Sequence, residues 1–191
     1  TVNYNQPDYT IKCIESVLKS EHANYHIHII DNGPTEKNHH VLKNGLPADS
    51  RIILHRLEEN RGYIGGINYG LEEGAKLNPD YFLIMNNDTL IDKKAIPELL
   101  KTCKDFGSQA VVTGKVFHYN DPNRLQYIGC TFKNKRVLTY NRIGENEIDT
   151  GQYNEVKERD MIDDIFWLFP SGLYRSIGGY SPFFWFNAEQ A

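Results

Sequence analysis

Apolar residues along the first 110 positions alternate between two rhythms. Ile11, Ile14, Val17 and Leu18 recur at helical spacing and predict a helix over residues 8–20, with Asp8 and Thr10 supplying N-terminal cap chemistry. Tyr25 to Ile30 reads as a strand, ended by the strong turn signal Asp31-Asn32-Gly33-Pro34. A short helix is predicted over residues 36–46, broken at Pro47, and Arg51 to Leu57 reads as the next strand. Asn60-Arg61-Gly62-Tyr63-Ile64-Gly65-Gly66 follows as a glycine-rich loop. A helix is then expected from about Ile67 to Leu77, a strand at Tyr81-Phe82-Leu83-Ile84-Met85, and a helix over residues 94–106. Beyond residue 110 the rhythm loosens. Ala110 to His118 reads as a strand, residues 119–160 as short hairpins or a mobile excursion built on polar turn clusters, and Ile165 to Leu168 as a return to apolar character.

Strands alternating with helices at this spacing predict βαβ units and a mostly parallel sheet, hence an α/β class. The length, 191 residues, suits a single domain, and 40% hydrophobic with 24% charged residues allows a packed core. A net charge of −4 argues against nucleic acid as a partner, which would need a basic face. No uninterrupted apolar stretch reaches membrane-spanning length. The cysteines, Cys13, Cys103 and Cys130, are odd in number and show no metal-ligand spacing, so reduced thiols in a cytoplasmic protein are expected. His22, His26, His28, His39 and His40 lie among polar residues and are expected to face solvent. The chain opens on what reads as the end of a strand and stops directly after an aromatic run, which points to a fragment of a longer protein.

Candidate chemistry concentrates where apolar runs end in carboxylates. Tyr81 to Met85 gives way to Asn86-Asn87-Asp88, and a strand that delivers Asp at its tip places a hard oxygen at the mouth of a sheet. An ordinary Asn/Asp turn is the plainer reading. Asp31 ends the earlier strand in the same way, so both carboxylates can face one crevice, one reading a nucleoside and the other a cation on a diphosphate. The glycine loop at 60–66 is neither a dinucleotide fingerprint nor a P-loop; it serves either close ligand approach or a tight strand-to-helix connection. Trp167 to Gly172 and Gly178 to Phe186 gather aromatic residues that suit either core or the faces of sugar rings, and Glu189 just beyond is a candidate base or a surface residue.

In this order the pieces resemble the N-terminal catalytic part of family 2 glycosyltransferases, closest to the rhamnosyltransferase-like branch. Tyr4-Asn5 with Cys13-Ile14-Glu15-Ser16-Val17-Leu18 is similar to the family's first strand and helix. Ile30-Asp31-Asn32-Gly33 resembles its nucleoside motif, and Asn60-x-Gly62-Tyr63-x-Gly65-Gly66-x-Asn68-x-Gly70 a loop of this branch. Asn86-Asn87-Asp88 takes the place of the metal-binding Asp-x-Asp and keeps only its final Asp. Gly172 with Arg175 and Ile177-Gly178-Gly179-Tyr180 is similar to the stretch that lines the donor sugar. Where the family carries a Glu-Asp pair this chain reads Asn187-Ala188-Glu189-Gln190, so Glu189 stands in for the base or the base is absent.

The resemblance implies a GT-A fold, a mostly parallel sheet with helices on both faces. It implies one catalytic domain over 1–191, cut short at its C-terminus, with a nucleotide-binding half at 1–110 and a donor-sugar and acceptor half at 111–191. The implied activity is inverting transfer of a hexosyl or deoxyhexosyl group from a nucleotide diphosphate sugar to an acceptor hydroxyl, in glycan or cell-surface polysaccharide synthesis. Val2, Tyr4, Asn5, Asp31, Asn60, Gly62, Asn68, Asn87 and Asp88 would bind the donor. Asp88 would hold Mn²⁺ or Mg²⁺, and Glu189 would deprotonate the acceptor. The acceptor would be a glycan or lipid-linked, with work at the inner face of the membrane left open through regions outside this chain. Two other readings stand beside it: a non-catalytic module that binds nucleotide sugar, and a sugar-nucleotide pyrophosphorylase. The latter is disfavoured because the first turn, Asn5-Gln6-Pro7-Asp8, has no glycine.

Overall fold

Proline has no N–H to leave unpaired in a first helical turn, and the first helix begins on Pro7. The computed structural model describes residues 1–134, 136, 139–162 and 165–183. Strand β1 (Val2–Asn3) leads into α1 (Pro7–Val17), β2 (Ile27–Asn32), α2 (Glu36–Gly45) and β3 (Ile52–Leu57). These are followed by α3 (Gly62–Ala75), β4 (Tyr81–Met85) and α4 (Ala95–Asp105). The three first strands form a parallel sheet in the order β1-β2-β3, with Val2 opposite Ile30 and Ile27 opposite Ile52.

The mixed α/β architecture with helices on both faces is as expected. Strand alternation decides which side each residue feeds. Ile29 packs with Ile14 and Leu42 under α1 and α2, whereas Ile30 packs with Val2, Ile67 and Leu71 under α3. Met85 joins the α4 side with Leu99 and Cys103, and Ile84 joins the α3 side.

Four boundaries depart from the sequence expectation. Helix α3 starts at Gly62, five positions before Ile67, so the glycine loop is the helix's first turn and more. Its glycines serve contact: a Cβ on Gly66 would sit 2.9 Å from both methyls of Val2, and one on Gly70 would sit 3.2 Å from Ile30 Cγ1. The stripe of small residues lets the helix axis approach the sheet. Asp8 and Thr10 do not cap α1; the N-cap is Gln6, without a side-chain cap bond, and Thr10 is wholly buried. The expected strand at 110–118 is mostly irregular: Val112 exchanges backbone hydrogen bonds with Leu168, and only Phe117–His118 (β5) is regular. His28 does not face open solvent but lies half-buried with its Nδ1 3.0 Å from His55 Nε2.

Past residue 110 the chain makes hairpin pairs, as the turn clusters predict: β5 with β6 (Asp121–Leu125), and β7 (Cys130–Asn134) with β8 (Thr139–Arg142). Strand β9 (Phe166–Pro170) then returns antiparallel to β4, with Met85 opposite Phe166 and Tyr81 opposite Pro170, and leads into α5 (Ser171–Ile177). Among the described residues no helix is long and apolar enough to cross a membrane.

Candidate active site

Side-chain hydrogen bonds draw together three chain segments that end strands of two sheets. The end of β1 supplies Asn3, the end of β2 supplies Asp31 and Asn32, and the turn after β4 supplies Asn86 to Asp88. Asp31 is fully buried and both its oxygens are engaged: Asn3 Nδ2 donates to Oδ1 at 2.7 Å, and His39 Nδ1 lies 2.7 Å from Oδ2. His39, expected at the surface, is therefore part of the site; its place at the first turn of α2 above Asp31 could not be read from a polar stretch of sequence.

The turn carrying Asp88 is clamped by one face of α1. Thr10, Cys13 and Ser16 are three residues apart and so stack on one side of the helix. Thr10 Oγ1 accepts from Asn87 Nδ2 at 3.0 Å, Cys13 Sγ lies 3.6 Å from the Asn86 carbonyl, and Ser16 Oγ accepts from the Ile91 N–H at 3.1 Å. From the other side the Tyr63 hydroxyl donates to Asn86 Oδ1 at 3.0 Å. The Asn86 side-chain oxygen and the Asn87 NH₂ thus hold the turn, while Asp88 is exposed and has no hydrogen bond or ion pair to the described residues. Burial pushes the Cys13 thiol up to about 12, and the nearby Asp88 carboxylate adds to the push.

The remaining candidates divide into framework and surface. Asn32 and Asn60 bind each other and the start of α3: Asn32 Nδ2 donates to Asn60 Oδ1 and to the Gly62 carbonyl, each at 2.9 Å, and Asn60 Oδ1 also accepts from the Gly62 N–H. Gly62 has φ +71°, which favours glycine. Asn5, also left-handed, accepts from Thr35 N and Asn38 Nδ2 and so ties the β1–α1 turn to α2. Val2 is buried, whereas Tyr4 is half-exposed beside this turn. Asn68 holds the backbone of Tyr180. Gly172 and Arg175 follow the end of β9, which pairs with the start of β4, whereas Asp88 follows the end of β4. A five-residue strand rising roughly 3.3 Å per residue keeps the two ends about 13 Å apart. They line a separate cleft of about 380 Å³ with Lys104 and Ser108, not the Asp88 rim. Glu189 and the aromatics Phe184, Trp185 and Phe186 lie outside the described residues.

The model of the family described as "Glycosyl transferase family 2" matches residues 1–166. The chain belongs to glycosyl transferase family 2. This family member is 22% identical over 128 residues to the glycosyltransferase GlyG of Streptococcus pneumoniae, covering 67% of this chain and 41% of GlyG. It is 24% identical over 173 residues to the poly-β-1,6-N-acetyl-D-glucosamine synthase of Staphylococcus aureus, covering 86% of this chain and 40% of that protein. It therefore spans about two fifths of the length of these relatives. Its fold is shared with the mannosyltransferase PcManGT of Pyrobaculum calidifontis, solved in complex with GDP-Man and Mn²⁺, at a TM-score of 0.62 and 13% identity over 95% of this chain and 46% of that one. The fold of this family 2 chain is accordingly GT-A.

Among the described residues no cluster of three or more His, Cys, Asp or Glu could hold a metal ion by itself. The donor set at the turn still fits a hard divalent cation that takes most of its oxygens from a diphosphate: an unpaired carboxylate on Asp88 and, beside it, the Asn87 carbonyl oxygen, which accepts no hydrogen bond from the described residues.

Proposed function

We propose that this chain is the donor-binding part of an inverting glycosyltransferase that moves a sugar from a nucleotide diphosphate sugar to an acceptor hydroxyl. The observation that carries the reading is an exposed Asp88, without a hydrogen bond or ion pair to the described residues, on a clamped turn that side-chain hydrogen bonds tie to a buried Asp31. The leaving group of such a transfer is a nucleoside diphosphate, and negative charge grows on its β-phosphate as the glycosidic bond breaks. Asp88, with Asn87 beside it, would hold Mn²⁺ or Mg²⁺, which when bound supplies Lewis-acid stabilisation of that charge. That PcManGT was solved with GDP-Man and Mn²⁺ supports both the donor class and the cation.

Asp31 serves the nucleoside end. Because both of its oxygens are occupied, a ribose or base reaches it only by displacing Asn3 or His39, or is met by those two side chains held in place by Asp31. Tyr4 offers an exposed ring for the base, and the backbone about Val2 its polar edge. Asn5, Asn60 and Gly62 act by holding the turns and helix start that shape the pocket, and Asn68 by holding the backbone of Tyr180 after α5. Glu189 is assigned the proton of the acceptor hydroxyl, and direct displacement by that hydroxyl inverts the anomeric centre. The acceptor is a glycan or lipid-linked glycan, and the work belongs to polysaccharide synthesis, consistent with the synthase among the relatives; any membrane association would come through regions outside this chain. A binding module without transfer is the second reading, favoured by the Asn187-Ala188-Glu189-Gln190 stretch in place of a Glu-Asp pair.

Titration calorimetry with UDP, dTDP and GDP, each with Mn²⁺ and with EDTA, tests the reading. Tight binding that needs the cation is expected for at least one nucleotide, and Asp88→Ala should remove it. Unchanged Mn²⁺-dependent affinity in Asp88→Ala rejects the role of Asp88. Slow Mn²⁺-dependent hydrolysis of the matching nucleotide sugar separates an enzyme from a binding module.

A further inference from the structure

We propose that Thr10 is a positioning residue that couples the nucleoside end of the site to its cation end by fixing the orientation of the Asn87 amide; this rests on the donor-binding reading above. Asp31 is joined to Asn87, the residue before Asp88, by an unbroken series of side-chain hydrogen bonds. Asn87 Nδ2 donates to Thr10 Oγ1 at 3.0 Å, Thr10 Oγ1 donates to Asn3 Oδ1 at 2.8 Å, and Asn3 Nδ2 donates to Asp31 Oδ1 at 2.7 Å. Thr10, Asn3 and Asp31 are each fully buried.

The series has a direction, and Asp31 sets it together with the Gln6 N–H, which also donates to Asn3 Oδ1 at 3.2 Å. A carboxylate only accepts, so Asn3 must turn its NH₂ toward Asp31 and its carbonyl oxygen toward Thr10. The Thr10 hydroxyl has one proton and two acceptors in reach, Asn3 Oδ1 at 2.8 Å and the Gln6 carbonyl at 3.2 Å; whichever takes it, the lone pairs are left for Asn87, which therefore presents its own NH₂. The Asn87 carbonyl oxygen is left over, next in sequence to the unpaired Asp88 carboxylate. A site that keeps one carboxylate thus gains a second hard oxygen, and which end of the Asn87 amide faces outward is decided away from the turn, by the Asp31 charge and the Gln6 N–H. Hydrogen bonds in such a series polarise one another, and a low-dielectric surrounding strengthens the effect.

Thr10→Val keeps the side-chain shape and removes the link; Asn87 is then free to turn its NH₂, a group that repels cations, toward Asp88. The measurement is the gain in nucleotide affinity that Mn²⁺ provides, taken as the ratio of the dissociation constants of UDP, dTDP or GDP in EDTA and in Mn²⁺. Thr10→Val should cut this gain about tenfold, the equivalent of one lost charge-assisted contact, while leaving affinity in EDTA within about twofold. Thr10→Ser, which keeps the hydroxyl, should restore the gain. A gain in Thr10→Val equal to that of the wild type overturns the proposal, as does an equal loss in Mn²⁺ and EDTA, which would be a packing defect alone. Where Thr10→Val does not fold, Thr10→Ala carries the same expectation and the same refutation. Absence of any Mn²⁺-dependent gain in the wild type, or its survival in Asp88→Ala, defeats the donor-binding reading itself and this coupling with it.

Discussion

The carboxamide of Asn68 grips the backbone of Tyr180 in both directions: its Nδ2 donates to the Tyr180 carbonyl at 2.9 Å, and its Oδ1 accepts from the Tyr180 N–H at 2.8 Å. One side chain on α3 thereby plays the part of a neighbouring strand for a segment 112 residues away. Gly179 makes the approach possible, because a Cβ there would overlap Asn68 Oδ1. Tyr180 in turn stacks on Trp167 with ring centroids 6.1 Å apart.

Asn68→Ala should therefore loosen the segment after α5 before it changes anything at the Asp88 turn. Losing two hydrogen bonds to partly buried backbone costs about 1–3 kcal/mol locally. Faster protease cleavage between Gly178 and Phe183 is expected, with affinity for nucleoside diphosphate and Mn²⁺ held within about twofold, since local opening need not spread. Lost nucleotide affinity with unaltered cleavage would make Asn68 a direct donor contact instead.

The same contact shows which parts of the site were legible in the chain. Asp31 and Asp88 were readable because each ends an apolar run, and strand ends collect on one rim of an α/β sheet. Thr10 and His39 were not, because a Thr near a helix start looks like a cap, and a His among polar residues looks like surface. Only the partners, Asn3 and Asn87 for the one and Asp31 for the other, reveal their work. Of the loop glycines, Gly66 serves a close approach of the helix to Val2 and not of a ligand, and the stretch expected as a loop is the first turn of α3. Arg175 follows the end of a strand whose antiparallel pairing with β4 no local pattern announces, and it emerges at the rim opposite Asp88.

Acid should destabilise the fold through the histidine pair. Burial, then the adjacent His55, push His28 down to about 4 from an ordinary value of 6.5, with Glu73 opposing weakly. His55 is lowered as well, chiefly by burial. A native pKa below the unfolded one means that the unfolded chain takes up a proton which the folded chain refuses. Stability from this source is thus whole above about pH 6.5, declines as the pH falls toward about 4, and is constant below that. Urea midpoints measured from pH 7 to pH 4.5 should fall, and His28→Gln should flatten the slope; an equal slope in that variant would assign the effect to carboxylates elsewhere.

Thiol chemistry should be silent in the native protein. Cys13, Cys103 and Cys130 are all buried, and none is in a disulfide. Burial raises Cys13 to about 12 and raises Cys103 too, so thiolate, the reactive form, is scarce at pH 8. A disulfide-exchange reagent should label none of the three rapidly in buffer and all three in denaturant. Rapid labelling of Cys13 would mean that α1 lifts from the Asn86 turn, which Thr10 and Ser16 are argued to prevent.

Gly66→Ala sets helix propensity against packing. In an exposed helix interior the change would stabilise by about 1 kcal/mol, because Ala restricts the unfolded chain and Gly does not. At Gly66 the added methyl would lie 2.9 Å from both Val2 methyls and 3.5 Å from Asn32 Nδ2, so either α3 or β1 must move. Neither is a flexible side-chain end: Val2 is a buried strand residue paired with Ile30, and Asn32 holds Asn60 and the Gly62 carbonyl. Overpacking of this kind costs about 1–3 kcal/mol, which outweighs the propensity gain, so a net loss of stability is expected in chemical denaturation. The displacement also reaches the rim, since Asn3 follows Val2 and bonds Asp31, so nucleotide affinity should fall with it. Gly172→Ala is the contrast: a Cβ there meets nothing within 4 Å, and its stability change should stay within about 0.5 kcal/mol. Equal behaviour of the two variants would mean that α3 is not seated on β1 as closely as its glycine stripe implies.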